Sequence, residues 1–289
     1  MRLFVIIPTL KRKELLSRVL KHLGHQTRLP DEVIVSAPDA THVEAFQPEH
    51  FPISYVFGSP GLCAQRNRAI ERALGRCDII TFFDDDFLPA DDYLRRLEEG
   101  FTAHPDWAVV MGETAADGAH NSGYSFDEGL ALLRQAECHE RPRWVSDHVG
   151  AYGCNMSVRA TQIGDLRCDE RLVLYGWQED IDFTSQLKKF GRVVGLNALI
   201  GVHLGAKSGR EAGVKLGYSQ VANPVYLMRK GTVPATFALN LIWRNIAANA
   251  IKSFWPEPYA DRRGRLKGNL LAAIHFIRGR IEPEYILKL

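Results

Sequence analysis

Three consecutive aspartates, Asp84, Asp85 and Asp86, follow an apolar run that is typical of a buried strand. Adjacent carboxylates repel one another, and a divalent cation with oxygen ligands offsets that repulsion most simply. We therefore predict a Mg²⁺ or Mn²⁺ site at which the cation bridges the phosphates of a nucleotide. The alternative is a solvated turn in which Asp85 or Asp86 caps a following helix.

A second acidic group, at residues 179–182, opens a predicted helix. Asp180 lies three residues before Phe183 and shares its inward apolar stripe, whereas Asp182 is turned nearly opposite. An inward carboxylate at the start of a helix suits a general base, so Asp180 is our candidate. The alternative is that these acids complement the helix dipole, which explains Glu179 well.

Arg66 and Asn67 fall at the start of another predicted helix, which leads into the aspartate strand. Backbone amides there, together with Arg66, could contact a phosphate or the edge of a base. The alternative is a surface salt bridge for Arg66 and a turn role for Asn67.

Small and polar residues around Gly153 and Asn155 lie beside a predicted strand, where a sugar could approach the backbone closely. A tight turn alone explains the glycine but not the whole run. His203 ends another buried strand, and it could be a metal ligand, a donor to phosphate or a structural residue with its hydrogen bonds satisfied.

Alternating strands and helices must position these candidates. This alternation predicts an α/β fold with a mostly parallel, Rossmann-like sheet flanked by helices, and such sheets bind ligands at the carboxyl ends of their strands. A short helix, two later strands and a helical C-terminal segment follow. The predicted strands are 3–7, 33–35, 53–57, 79–83, 108–111, 151–158 and 199–203, and the predicted helices are 13–23, 62–74, 91–101, 127–137 and most of the chain after residue 234.

The charge distribution says more than the net charge of +2, which gives no general reason to expect nucleic acid as a partner. Residues 235–289 contain nine Lys and Arg against four Asp and Glu, whereas residues 1–234 carry a net charge of −3. A basic segment that contains Trp and Phe favours contact with an anionic membrane surface. The alternative is that its helices pack on the rest of the chain or form a dimer interface.

Five scattered cysteines without a Cys-x-x-Cys pair indicate a reduced protein rather than a disulfide framework. The first apolar run is too short for a secretory signal, and no segment reaches the roughly 20 apolar residues that a membrane span needs. We therefore expect a cytoplasmic protein that could lie peripherally on the inner face of the cell membrane.

Six segments, taken in their order along the chain, resemble family-2 glycosyltransferases over about residues 1–210. The resemblance implies a GT-A fold and inverting transfer of a sugar from a nucleotide-diphosphate sugar. It makes the aspartate run a DXD motif, in which Asp86 binds the metal and Asp84 or Asp85 contacts the ribose or the nucleobase. It also implies that Asp39 contacts the nucleobase and that Asp180 is the catalytic base. The segments are VIIPTLKR, GLCAQRN, FFDDDFLP, GCNMSVRA, WQEDIDF and HLG.

The predicted contacts follow from these assignments. The donor, with a UDP-sugar expected first, contacts Pro8, Thr9, Asp39, Arg66, Asn67, Asp84 and Asp85; the acceptor contacts Gly153, Asn155, Trp177 and Glu179; and Asp86 and His203 hold Mg²⁺ or Mn²⁺. We expect a catalytic domain at residues 1–233, with a nucleotide-binding half at about 1–112 and an acceptor half at about 113–233, followed by a helical segment at 234–289.

The function expected is transfer of the sugar to a hydroxyl of a glycan or lipid-linked acceptor in cell-surface polysaccharide synthesis. One rival is a metal-dependent sugar nucleotidyltransferase, which would need a glycine-rich phosphate loop after the first strand, where this chain has Pro8, Thr9 and Leu10. The other rival is a non-catalytic scaffold that binds a nucleotide sugar at the membrane.

Overall fold

The computed structural model describes residues 1–44, 50–138, 144–207, 213–255 and 257–289. Within these residues, nine strands form one sheet. The strands are β1 Leu3–Pro8, β2 Glu32–Ala37, β3 Ile53–Phe57, β4 Ile79–Phe82, β5 Phe87–Pro89, β6 Trp107–Asp117, β7 Val145–Asp147, β8 Met156–Arg159 and β9 Arg192–His203. The α-helices are α1 Lys13–Leu23, α2 Leu62–Ala73, α3 Tyr93–Ala103, α4 Phe126–Glu137, α5 Ala160–Ile163, α6 Glu179–Ser185, α7 Gly213–Lys230, α8 Ala235–Lys252 and α9 Arg262–Ile277.

The central strands are apolar on both faces because helices cover both. In β1, Leu3, Val5 and Ile7 pack into a core shared with α1 and α3. Phe4 and Ile6 point the other way, into a core shared with α2. A strand buried on both sides reads as a continuous apolar run, which is why the sequence showed β1 clearly.

The sheet order is β3-β2-β1-β4-β8-β6-β9-β5, with β7 also paired to β9. The α/β fold and the parallel pairing of the first four strands are as predicted. The second half of the sheet differs from the predicted mostly parallel arrangement, because β8 runs antiparallel to both β4 and β6, and β5 and β7 run antiparallel to β9. Side chains alternate along a strand in the same way whether the strand runs parallel or antiparallel to its neighbours. The sequence therefore did not reveal that β5, β7 and β8 run antiparallel.

The reversed direction of β8 matters for the candidate site. Thr81 in β4 pairs with Ser157 in β8, so the residues just before β8 lie beside the residues just after β4. The backbone amide of Asp84 accordingly donates a hydrogen bond to the carbonyl of Cys154, at 3.2 Å. The antiparallel strand thus carries Gly153 and Asn155 to the edge at which the aspartates lie.

The C-terminal helices α8 and α9 pack on each other and on α7, in line with the alternative of packing on the rest of the chain. A Cβ atom at Gly217 of α7 would lie 2.0 Å from the carbonyl oxygen of Arg265 in α9, so the two backbones touch there. Buried amides also connect the three helices: Asn249 of α8 donates to Gln220 of α7 at 2.8 Å and to Asn269 of α9 at 2.9 Å. In the described part of the chain, no helix is both long enough and apolar enough to cross a bilayer.

Candidate active site

The first part of the site joins the end of β1 to the aspartate turn. Asp85 is buried and accepts hydrogen bonds from the Thr9 hydroxyl at 2.6 Å and from the Arg12 guanidinium at 2.7 Å. Burial, opposed by the nearby charge of Arg12, raises the pKa of Asp85 to about 6. Asp85 therefore connects the aspartate turn to the segment that follows β1. Pro8 and Thr9, which we expected to contact the donor, lie at this carboxyl edge of the sheet.

The second part is a group of three potential metal ligands. Ligand atoms of Asp84, Asp86 and His203 lie within 4.8 Å of one another. The His203 Nε2 atom is 3.3 Å from an Asp86 oxygen and 4.0 Å from an Asp84 oxygen. Two carboxylates and an imidazole form a donor set that suits Mn²⁺ and also accepts Mg²⁺, so these residues fit the predicted cation. Asp84 belongs to this group, although we had placed it only at the donor.

The other ring nitrogen of His203 is held by residues that the sequence did not single out. Its Nδ1 atom lies 2.9 Å from Asp117 and 3.2 Å from the Tyr152 hydroxyl, which itself donates to Asp117. This is the arrangement that orients a ligating histidine. Burial alone would lower the pKa of His203, but Asp86 and Asp117 outweigh it and raise that pKa to about 10.

Asp86 is held from three sides. Its carboxylate accepts a hydrogen bond from the Ala206 amide at 2.7 Å and lies near His203 and Arg12. Burial would raise the pKa of Asp86, but these positive and donating neighbours lower it to about 2. The lowered pKa favours the carboxylate form of Asp86, which is the form that binds a cation.

The candidate base Asp180 is half-buried at the start of α6. One carboxylate oxygen accepts from the Gly153 amide at 2.7 Å, and the other accepts from the Ile181 amide at 2.8 Å. Burial raises the pKa of Asp180, although Arg66 and the two amides oppose the shift. A fixed carboxylate with a raised pKa has the properties of a general base.

Arg66 connects this base to the metal-ligand group. Its side chain is 1% exposed and forms ion pairs with Glu179 and with Asp84, at 3.3 Å for the latter. It also donates to the Gly153 carbonyl at 2.9 Å, on the same residue whose amide holds Asp180. The alternative of a surface salt bridge for Arg66 is therefore wrong, because Arg66 and its partner Glu179 are both buried.

Two of the predicted contacts lie in surroundings that the sequence did not suggest. Glu179, expected at the acceptor, is buried against Arg66, and burial raises its pKa to about 7. Asn67, expected at the donor, exchanges hydrogen bonds with the backbone of Cys168 at 2.8 and 2.9 Å. The structure does not bring Asn67 to the aspartates.

The remaining predicted residues occupy mixed environments. Asn155 is buried and donates to the Gly112 carbonyl at 3.2 Å. Trp177 is half-buried, and its carbonyl accepts from Asn223 of α7 at 2.7 Å. Asp39 lies after β2, where its exposed carboxylate caps the short turn at Ala40–His42 by accepting from the Thr41 amide.

The expected outward orientation of Asp182 is wrong. Its side chain is fully buried and pairs with Lys230 of α7 at 2.7 Å. The helical pattern of α6 could not reveal this, because the cover is supplied by a helix almost 50 residues away along the chain. Both faces of this short helix are therefore in contact with protein.

Comparison with known proteins agrees with the fold. Residues 4–137 match the sequence profile of glycosyl transferase family 2. No curated protein matches the chain at a significant level.

Two solved structures resemble the chain over nearly its full length. The mannosyltransferase PcManGT from Pyrobaculum calidifontis, solved in complex with GDP-Man and Mn²⁺, is 16% identical, with 96% of this chain and 88% of that one covered and a TM-score of 0.58. The S. aureus TarS 1-349 structure is 14% identical, with 97% and 82% covered and a TM-score of 0.54. The profile matches residues 4–137, and the fold is shared with these two enzymes over nearly the whole chain, so both comparisons support the predicted resemblance to family-2 glycosyltransferases and the GT-A fold.

Proposed function

We propose that the chain is a metal-dependent, inverting glycosyltransferase that uses a nucleotide-diphosphate sugar and employs Asp180 as its base. The observation that carries this proposal is the connection through Arg66. A fixed, half-buried carboxylate and a three-residue metal-ligand group are held by one buried guanidinium. The base and the leaving group of a single displacement must lie on opposite sides of one carbon, and this connection fixes the two groups relative to each other.

The cation in this proposal is Mn²⁺ or Mg²⁺, held by Asp84, Asp86 and His203. It would supply positive charge to the diphosphate leaving group. The Mn²⁺ and GDP-Man in the PcManGT complex support a metal and a nucleotide sugar here. Asp117 and Tyr152 fix the histidine ring, so its Nε2 atom faces the two carboxylates.

The protein's own part in the reaction is to orient and to move one proton. Asp180 accepts the proton of the acceptor hydroxyl while the oxygen forms its bond to the anomeric carbon. The bond from that carbon to the diphosphate oxygen breaks with its electron pair, so one displacement inverts the anomeric centre. The Gly153 amide orients the Asp180 carboxylate by donating a hydrogen bond to it. Arg66 in turn positions Gly153 by donating to its carbonyl.

Donor and acceptor identities extend the proposal. UDP-sugars are the first donors to test, and GDP-sugars are the alternative that the PcManGT complex suggests. Donor binding is assigned to about residues 1–112 and acceptor binding to about residues 113–233, with residues 234–289 as a separate helical segment. The acceptor is a glycan or lipid-linked hydroxyl in cell-surface polysaccharide synthesis, on the cytoplasmic side of the membrane.

The Asp180→Asn variant tests the proposal most directly. We expect donor affinity to stay near the wild-type value by calorimetry, while the transfer rate falls about 10²- to 10⁴-fold, which is the usual contribution of a positioned general base. Asp165→Asn is the control, since it changes the same chemical group at an exposed position outside the site. It should leave both the stability and the transfer rate nearly unchanged.

Three outcomes would contradict the proposal. Equal transfer rates for Asp180→Asn and wild type would show that Asp180 is not the general base. Formation of a nucleotide sugar from a sugar phosphate and a nucleoside triphosphate would favour the nucleotidyltransferase, and donor binding without any turnover would favour the scaffold.

A further inference from the structure

The structure leaves a band of large apolar side chains uncovered on the C-terminal helices. On α8 and just after it, Trp243 is 68% exposed, Phe254 76% and Trp255 72%. On α9, Ile277 is 84% exposed, and Leu270 and Ile274 are more than 40% exposed. Large apolar side chains exposed in this number on two neighbouring helices indicate an interaction surface.

The apolar band lies on the outer side of the helix layer. The inward sides of α8 and α9 contain Ala238, Asn249, Gly268 and Ala272, which are buried in the contacts between these helices and α7. On α9 the residues at positions 263, 267, 270, 274 and 277 follow the spacing of one helical face, and all five are exposed. The first two are Arg263 and Lys267, and the last three are apolar.

Basic residues surround this band, whereas the acidic residues of the segment are mostly engaged. Arg244, Lys252, Arg278 and Arg280 are exposed in addition to the basic pair on α9. Glu257 pairs with Lys252 and Arg262, Glu284 pairs with Arg171, and Asp261 caps the first turn of α9. The outer face is therefore apolar and cationic at the same time.

We propose that this outer face of α8 and α9 docks on an anionic lipid bilayer. Apolar and aromatic side chains of a helix that lies in the plane of the interface enter the headgroup region, while its Lys and Arg attract anionic lipid. A second copy of the chain fits less well. A symmetric dimer through this face would bring the same cationic residues of both copies together.

Helix α7 connects the docking face to the segment that carries Asp180. Lys230 of α7 bonds Asp169 and Asp182, each at 2.7 Å, and Asn223 of α7 holds the Trp177 carbonyl. Asp180 lies between these anchored residues. Docking would thus keep the candidate base at a fixed place relative to the bilayer, as a lipid-linked acceptor requires; this last step rests on the proposed transfer reaction, whereas bilayer binding does not.

Co-sedimentation of the full chain with lipid vesicles tests the proposal. We expect binding to vesicles that mix phosphatidylcholine with anionic phosphatidylglycerol, weak binding to phosphatidylcholine alone, and loss of binding at high salt. Arg263→Gln with Lys267→Gln should lower the partition coefficient about 30-fold at low salt, at about fivefold per charge. Trp243→Ser and Ile277→Ser should each lower it about tenfold.

A matched control comes from the exposed run of Lys188, Lys189 and Phe190 on the catalytic part of the chain. Changing the two lysines to Gln and the phenylalanine to Ser alters the same residue types and should leave vesicle binding unchanged. Donor turnover in the absence of vesicles should be unchanged in all these variants, which separates docking from the transfer reaction.

The proposal is overturned if the wild type does not distinguish anionic from neutral vesicles, or if the control variant loses binding as strongly as the surface variants. It is also overturned if sedimentation velocity shows a dimer that Trp243→Ser dissociates while vesicle binding is absent. In that case the band is a subunit interface.

Discussion

At the scale of single residues, most of the charged groups in the site are buried. Asp85 and Asp86 share the buried turn after β4, but the pKa of Asp85 is raised and that of Asp86 is lowered, since Asp86 has His203 and a backbone amide as partners. Arg66 is equally buried and has Glu179 and Asp84 as counter-charges. Burial of this kind raises the cost of removing any one partner.

The raised pKa of Asp180 predicts a pH dependence of the rate. The base works only as a carboxylate, so kcat should fall as the pH decreases through its pKa and should level off above it. Because burial raises that pKa above 3.8, the acid limb should lie at a higher pH than for an exposed aspartate. Measuring kcat over a series of pH values with saturating donor gives the position of this acid limb. If the residual activity of Asp180→Asn shows the same acid limb, the limb belongs to another group.

Arg66→Met should destabilise the fold by about 3–5 kcal/mol, since it leaves Glu179 buried without its counter-charge. Urea unfolding of the single and double variants measures the coupling. Adding Glu179→Gln to Arg66→Met should recover part of the loss, because the uncompensated charge is then gone. Strictly additive losses in the two single variants would mean that the pair does not interact.

At the scale of elements, loops and short helices hold the site, and longer helices hold those in turn. The seven residues of α6 carry Asp180, and α7 supports them from one side through Lys230. The backbone of α7 in turn touches α9 at Gly217. Tight contact between helices is therefore connected to the position of the base.

Gly217→Ala should test that contact. The added Cβ atom meets backbone atoms of Arg265, so the helices must separate, and the unfolding free energy should fall by about 1–3 kcal/mol. Thermal or urea unfolding provides the measurement. Asn240→Ala, at an exposed position on α8, is the control and should have little effect; equal stability of Gly217→Ala and wild type would show that the helices do not meet there.

At the scale of the whole molecule, ligand binding should stabilise the folded chain. If Mn²⁺ binds only the folded state, it raises the free energy of unfolding by about 2.7 kcal/mol at a concentration of 100 times its Kd. The melting temperature should rise accordingly. Asp86→Asn should abolish this shift, and Asp39→Asn, which changes an exposed acid outside the ligand group, should keep it. A full shift in Asp86→Asn, or one that persists in excess chelator, would exclude the cation site.

The sequence by itself determined the first half of the sheet and the chemistry at its edge. Continuous apolar runs predicted β1 and β4. The residues that end these runs placed Thr9 and the aspartates just after the two strands. Local patterns suffice for β1 and β4 because both strands are buried on both faces. His203 and Asp180 were also identified from their positions at the ends of such patterns.

Only the tertiary structure decided the direction of β8, the extension of β6 to Asp117, and the partners of Glu179 and Asp182. These features depend on contacts between residues distant in sequence, such as Arg66 with Glu179, and no local period encodes them. The outer face of α8 is a further example, since Phe237 and Leu241 are half-buried while Trp243 is exposed. An amphipathic pattern shows that a helix has an apolar face, but the neighbouring helices determine which side is covered.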